Sequence, residues 1–539
     1  MKKIVYGILA ILIILTPIIS CAPAQSPAIT APTKPVENQK TNINQKEVFA
    51  RTGTIPVIFV AGSNYEMGFQ FGQQTADGVA HNVAVFKTAL LPVYGEERLT
   101  KGSEVCDFYI KKHVPGMSDW LKGIADGCKS EGVEISYLDL VLMNSFDVFV
   151  WAYPGEKYPD EAIQCTSYAA TRSATTDGMS IVATTLMVGN VNIDKVILIA
   201  YPTDGNIFIA TPGSGFVVHT SGMNIESLAW IVTALPQVEP VWALPAMGVG
   251  YQLCQYIKTA AEAEQWLGKV ERGGSTGNFI LGDDRGYISV FESNSQHYAV
   301  RHPGDLGEKD FVINANHFVT KEMIPYNFEN YRNSPHSPYR YATAWQYFEK
   351  AAAKSEIDVD FFKKITNTYD WYDPDKKEWH FNDPSSPNVI GNDRIDSTII
   401  FYPRTGTMYF SIGWPGGIGM PPFSTGEYAQ LQLISTPQAV VTNAGSTAYK
   451  MFLAARHAYV KAKNAKASYL TYPVCESIEA KLDRAALEWG LGHDRAGFGG
   501  LEKDDKAKLR LFGEAATHYC NAQVYAQEVS TMLSNLAGK

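Results

Sequence analysis

Seven cysteines and eleven histidines are present, but none fall into CxxC, HxH or HExxH spacing, so a zinc site has no support. Gly273-Gly274-Ser275-Thr276-Gly277 matches the G-x-S-x-G nucleophile elbow, which needs a strand before the serine and a helix after it. The order here is reversed: a helical stretch, Thr259–Val270, comes first, and the β-prone run Asn278–Gly282 follows. That segment reads as a turn. Cys165 differs, because it opens a β-prone run directly after a polar, proline-bearing loop, Tyr153-Pro-Gly-Glu-Lys-Tyr-Pro-Asp-Glu. By position alone, a lone thiol is ordinarily a buried structural one. His317, next to Asn316, is a candidate partner for it. A Cys165–His317 dyad would need no processing, but neighbours on a strand point to opposite faces. If Asn316 faces the thiol, His317 faces away.

The elements around these residues change period along the chain. Ile55–Ala61 is β-prone, and Gly62-Ser63-Asn64 then opens a helix. Amphipathic runs at Met117–Lys129 and Leu138–Val150 make residues 51–150 mostly helical. Beyond the loop the period becomes two. Cys165–Thr171 and Met179–Thr185 flank Thr176-Asp177-Gly178, a hairpin signal. Further strands are expected at Val196–Ala200, Ile207–Thr211, Leu228–Thr233, Asn278–Gly282, Tyr287–Glu292, Phe311–Ile313, Thr398–Tyr402 and Met408–Ile412. From about Ala429 the chain turns helical again. Leu509, Phe512, Ala516, Tyr519, Ala526, Val529, Leu533 and Leu536 line one helix face, expected to pack on the body.

Residues 162–182, AIQCTSYAATRSATTDGMSIV, resemble the nucleophile hairpin of the acyl-CoA:6-aminopenicillanate acyltransferase family of autoproteolytic acyltransferases and hydrolases. Other segments agree in chain order. Tyr65-Glu66-Met67-Gly68 with Gln70 and Gly72 resembles the family's Y-E-x-G-x-x-x-G helix, and Ser221-Gly222-Met223-Asn224 its G-M-N turn. Gly277–Asp283 is similar to its G-N-x-x-L-x-D strand, and Asn314–Phe318 to its H-T-N-H motif. The resemblance spans residues 55–413 and does not reach the tail beyond about 425.

It implies an α+β fold: the N-terminal-nucleophile αββα sandwich, two packed antiparallel sheets between helices. An N-terminal helical segment (51–164) would precede the catalytic region (165–425), and a helical extension (426–539) would follow it. It also implies that the Cys165 thiol attacks the Gln164 carbonyl, giving an ester-linked intermediate that water hydrolyses to leave an N-terminal cysteine whose α-amine serves as base for its own thiol. Acyl groups would then pass through a thioester to water or an amine, with no cofactor and no metal. Asn316 is the implied oxyanion donor, Asn224 a second one, and Arg394 the charged partner of amine and substrate. The substrate would be a small acylated amide or acyl thioester. Two departures stand out. Gln164 occupies a position commonly glycine in the family, and Thr185-Leu186-Met187 stands where the family carries N-x-D, so the carboxylate is missing unless Asp194 or another acid substitutes. A phospholipase B-like or lipid-amide hydrolase on the same scaffold, and an inactive ligand-binding lipoprotein, stay open as alternatives.

Lys2 and Lys3 precede an apolar run, Ile4–Ile19, which ends at Ser20-Cys21. This reads as a lipoprotein signal peptide (1–20) with Cys21 as the lipidated residue. Residues 21–50, with Pro23, Pro27, Pro32 and Pro35, read as a tether. An extracytoplasmic, membrane-anchored protein is the expectation. The net charge of −9 forms no basic face and argues against nucleic acid as a partner. Cys106–Cys128, closing a loop between two expected helices, is the one disulfide pairing put forward.

Overall fold

Ser63 and Glu66 form a capping box: the Ser63 hydroxyl accepts from the Glu66 N–H, and the Glu66 carboxylate accepts from the Ser63 N–H at 2.8 Å. The helix so started, α1 (Asn64–Tyr94), carries Gly68 and Gly72 four residues apart. A Cβ on Gly68 would lie 2.1 Å from Trp120 O, and one on Gly72 2.3 Å from Ile124 O. Helix α3 (Pro115–Ser130) reciprocates with Gly123 and Gly127, so the two backbones touch. Gln70 completes the motif by bonding both backbone groups of Ala61. The Y-E-x-G-x-x-x-G segment is thus an architectural joint.

The molecule is described from a computed structural model covering residues 55–151, 165–187, 193–235, 241–273, 277–327, 336–392, 395–412 and 426–538. Cys21, the tether, the loop at 153–161, Gln164, Ser275 and Arg394 lie outside the described residues. The remaining helices are α2 (Glu96–His113), α4 (Tyr137–Met143), α5 (Phe146–Trp151), α6 (Ala246–Gln255), α7 (Ala260–Leu267), α8 (Ser337–Ala352), α9 (Val359–Ile365), α10 (Pro437–Asn464), α11 (Tyr472–Leu501) and α12 (Asp505–Ala537).

The first sheet contains β1 (Val57–Gly62), β4 (Ile197–Pro202), β5 (Phe208–Ala210), β6 (Ser221–Asn224), β7 (Ala229–Thr233), β8 (Asn278–Gly282), β9 (Ile288–Ser293) and β10 (Tyr298–Arg301), in that spatial order. Only the β1–β4 pair is parallel. The second runs β11-β2-β3-β14-β15-β16, from β2 (Thr166–Ala170), β3 (Ile181–Leu186), β11 (Phe311–Asn314), β14 (Ser397–Tyr402), β15 (Thr407–Ile412) and β16 (Ala429–Gln432), and is wholly antiparallel. A small hairpin, β12 (Trp371–Asp373) with β13 (Glu378–His380), stands apart.

Alternation along the strands sorts the apolar residues into layers. Ile58, Val60, Leu198, Phe208 and Trp230 face α1, α3 and α6 on the outside of the first sheet. Phe59, Ile199, Ile231, Ala169, Val182 and Ile399 fill the space between the sheets. Tyr168, Ala183, Phe311 and Ile400 meet Phe348 of α8 and Phe362 of α9 on the far side. Each large apolar side chain contributes roughly 1.5–3 kcal/mol by burial, so the layering follows from period two. The fold is the αββα sandwich the resemblance implies.

Several sequence expectations are corrected. Ser221–Asn224 is a central strand rather than a turn. Ala429–Gln432 is an edge strand, and the tail helices begin only at Pro437. The 138–150 helix breaks into α4 and α5, because Asn144 turns its amide to Leu140 O and Gly215 O and accepts from Val217 N. Cys106 and Cys128 are both free and buried, with the Cys128 thiol on Gly72 O; both belong to the apolar packing of the helical layer instead.

The amphipathic face of α12 does pack on the body, in two halves. Leu509, Phe512, Ala516 and Tyr519 close the space between the sheets, whereas Ala526, Val529 and Leu533 pack on α10 and α11. Polar side chains of α12 also satisfy one edge of each sheet, β1 and β16. Thr517 Oγ1 accepts from Val57 N at 2.9 Å, Gln523 bonds both backbone groups of Gln430, and Gln527 accepts from Tyr428 N. Exposed edges are a hazard for strand pairing with other chains, and here one helix covers two of them.

Candidate active site

Cys165 immediately precedes β2 and is buried. Its backbone N–H donates to Asn316 Oδ1 at 2.8 Å. The same oxygen accepts from Arg340 Nη2 at 2.7 Å, and Asn316 Nδ2 donates to Ala234 O at 2.8 Å. Two donors on one amide atom and an acceptor on the other fix which way the amide faces. Arg340, in the first turn of α8, is fully buried and also bonds Thr166 Oγ1 and Cys165 O.

Burial pushes the Cys165 thiol up from its ordinary range. A hydrogen bond from the Met187 backbone, the Arg340 charge and a hydrogen bond from the Asn316 side chain pull it back, while Asp396 pushes it up further. Met187 therefore contributes its N–H to the site, although its side chain carries no charge. The acid near the thiol comes from another strand. Asp396, just ahead of β14, donates its N–H to Leu186 O at 2.8 Å and forms an ion pair with Lys195. Those two contacts fix Asp396 between the ends of the two sheets, because Leu186 closes β3 and Lys195 leads into β4. Asp194, the acid considered from sequence, is held through its backbone by Asn82 and lies beside Gly78 of α1.

The loop bearing Asn316 follows β11 and is held by a buried polar chain that crosses between the sheets. Ser167 Oγ meets Thr184 Oγ1 and Thr233 Oγ1, each at 2.8 Å, and Thr233 Oγ1 donates to Asn314 Oδ1 at 2.9 Å. Asn278 Nδ2 then donates to Ala315 O at 3.1 Å and His317 O at 3.0 Å. This is what the G-N-x-x-L-x-D motif does in the fold: its asparagine clamps the carbonyls on either side of Asn316.

His317 faces away from the thiol, as the alternation of neighbours implies, although both residues lie beyond the end of β11. Its Nδ1 pairs with Ser337 Oγ at 2.7 Å, at the start of the helix that carries Arg340. Burial, then the charges of Arg340 and Arg301, drive His317 down to about 3, so it is neutral at physiological pH.

Asn224 has other partners. Its Nδ2 donates to Leu253 O, Cys254 O and Ile257 O, and its Oδ1 accepts from Leu228 N at 3.2 Å. An amide has two hydrogens, and both are committed to the C-terminal end of α6. This corrects the sequence expectation of an oxyanion donor. Arg340 escapes sequence reasoning because a single arginine on an amphipathic helix gives no signal. Among the described residues, no group of three or more acidic, histidine or cysteine side chains could hold a metal.

No family model matches the chain. An uncharacterized protein from Archaeoglobus fulgidus is 27% identical over 304 residues, 50% of this chain and 51% of that protein, so the chain spans about half the length of this relative. Among solved structures, a mutant of the conjugated bile acid hydrolase from Clostridium perfringens aligns with TM-score 0.33 and 11% identity, over 50% of this chain and 98% of that one. The Caenorhabditis elegans ortholog of N-acylethanolamine-hydrolyzing acid amidase aligns with TM-score 0.30 and 13% identity, over 49% and 98%. Penicillin V acylase from Agrobacterium tumefaciens aligns with TM-score 0.30 and 14% identity, over 50% and 91%.

Proposed function

We propose that the chain is a cysteine amidohydrolase or acyltransferase that matures by scission between Gln164 and Cys165 and cuts a non-peptide or small-peptide amide C–N bond. The observation that carries this reading is the Cys165 N–H held on Asn316 Oδ1, with the Arg340 guanidinium on the same oxygen. After scission that nitrogen is an α-amine already tethered beside its own thiol. The fixed cation nearby disfavours a second positive charge, keeping the amine in its basic form. The amine takes the thiol proton, and the sulfur attacks the substrate carbonyl. An Asn316 amide hydrogen and the Met187 N–H are the donors available to the oxyanion as it forms. Collapse expels the amine leaving group with the proton held on the α-amine. Water or an acceptor amine then releases the acyl group from the thioester.

Intact mass and N-terminal sequencing of purified protein test this directly. The wild type should yield a fragment beginning at Cys165 that stays associated with residues 55–151, since β1 is part of the first sheet. Cys165→Ala should run as one chain and turn over no amide. A wild type that stays intact while hydrolysing amides would sink the scission mechanism.

We also propose membrane tethering through a lipidated Cys21. No helix among the described residues is long and apolar enough to cross a membrane. Lipid chains contribute roughly 0.8 kcal/mol per buried CH₂, which the polar leader cannot replace. Cys21→Ser should move the protein to the soluble extracytoplasmic fraction, and unchanged membrane retention would refute the anchor.

A further inference from the structure

Asn316 sits in a stretch whose neighbours on both sides are held from the first sheet. Arg301 Nη2 donates to Ile313 O, and the Glu292 carboxylate accepts from Val319 N at 3.1 Å, Thr320 N at 3.0 Å and Thr320 Oγ1 at 2.8 Å. Glu292 and Arg301 lie on β9 and β10 and bond each other, Nε to Oε1, at 3.0 Å. Glu308 takes the Arg301 Nη1 at 3.2 Å. Both side chains of the pair are buried. Together with Asn278 they grip the stretch before and after Asn316 from one side, and Asn316 projects the other way, to Cys165 N.

A buried ion pair is a weak source of stability, because desolvation offsets most of the attraction. Its geometry is the more informative property. We propose that Glu292 and Arg301 are positioning residues for Asn316: by fixing both ends of its loop, they set the distance between the Asn316 amide and the Cys165 nitrogen and sulfur. This rests on the role given to Asn316 in the proposed function. The bonds of both residues run to each other, to Glu308 and to the stretch around Asn316 rather than to Cys165, so each should act through Asn316.

The test is a double-mutant cycle on the full chain, with Glu292→Gln and Arg301→Lys made alone and in an Asn316→Ala background. Turnover of a fluorogenic N-acyl arylamide gives kcat and KM, and mass spectrometry gives the rate at which iodoacetamide alkylates Cys165. Glu292→Gln keeps the shape but replaces one acceptor oxygen with an NH₂ group facing backbone N–H donors. It should lower kcat about 10–100-fold with KM within about twofold, as for an interaction made only in the transition state. In the Asn316→Ala background the same change should matter less than about twofold, because its only target is gone. Losses that multiply in the double variant would overturn the proposal, as would wild-type kcat in Glu292→Gln. Arg301→Lys keeps the charge without the fork and serves if Glu292→Gln does not fold. A wild type that cleaves no arylamide would count against the proposed function instead. The alkylation rates then complete the cycle, and additivity there would still overturn the positioning role.

Discussion

The two ends of the space between the sheets are closed in different ways. At the Cys165 end, hydroxyls and amides from β2, β3, β7, β8 and β11 form a buried chain from Ser167 to His317 O. At the opposite edge, α12 presents Leu509, Phe512, Ala516 and Tyr519 and commits its polar groups to strand edges. Both regions use side-chain amides to satisfy backbone. Only the first leaves an amide, a thiol and a guanidinium aimed at one another. A buried polar network is costly unless every member is satisfied, whereas apolar closure is tolerant. The first end fixes geometry, and the second supplies stability.

Activity should separate these ends most sharply. Asn316→Ala should lower turnover about 10²–10³-fold, as for loss of one preorganised donor, with folding retained. His317→Ala should cost much less, since its ring bonds Ser337 rather than the thiol. A Cys165–His317 dyad would make the histidine loss the severe one, so steady-state kinetics on the two variants decides between them.

Acid should probe the polar end next. His317 is driven to about 3 and His219 to about 4 by burial, against 6.5 for an ordinary histidine. Between these values the unfolded chain binds protons that the folded one excludes, so stability falls as pH drops below about 6.5. Melting temperatures should decline from pH 7 to pH 5, and His317→Gln should flatten that slope. An unchanged slope in the variant would show that the ring is not held neutral.

The smallest effect belongs to the apolar end. Gln523→Ala removes the bonds to both Gln430 backbone groups and should cost about 1–3 kcal/mol in denaturant unfolding, with kcat unchanged. A drop in kcat comparable to that of Asn316→Ala would erase the division of roles.

Much of this organisation is legible in the residues alone, because period two and helical spacing reflect burial directly. The strand runs from Cys165 to Ile412 and the one-faced terminal helix follow from that patterning. Asn316 comes from the resemblance of one local segment, and the opposed direction of His317 from the alternation of neighbours within it. What escapes is long-range or unpatterned. Arg340 reaches Cys165 across 175 positions, and Asp396 supplies from the start of β14 a carboxylate that the resemblance places after β3. Asn224 misleads because its motif fixes a strand end against α6, and an asparagine's chemical capacity says nothing of which acceptors surround it. The short edge strand Ala429–Gln432 has too few residues to show a period.

The contact between Thr517 and Val57 spans 460 positions and has a consequence for biogenesis. A ribosome delivers β1 long before α12, so the first strand must wait, with one edge open, until a helix 460 positions further on has been made. Loop closure over such separations is slow, which makes the final docking of α12 a late event after synthesis. Closure of the sandwich around Cys165 is then timed by the arrival of α12, whose Leu509, Phe512, Ala516 and Tyr519 fill the space between the sheets.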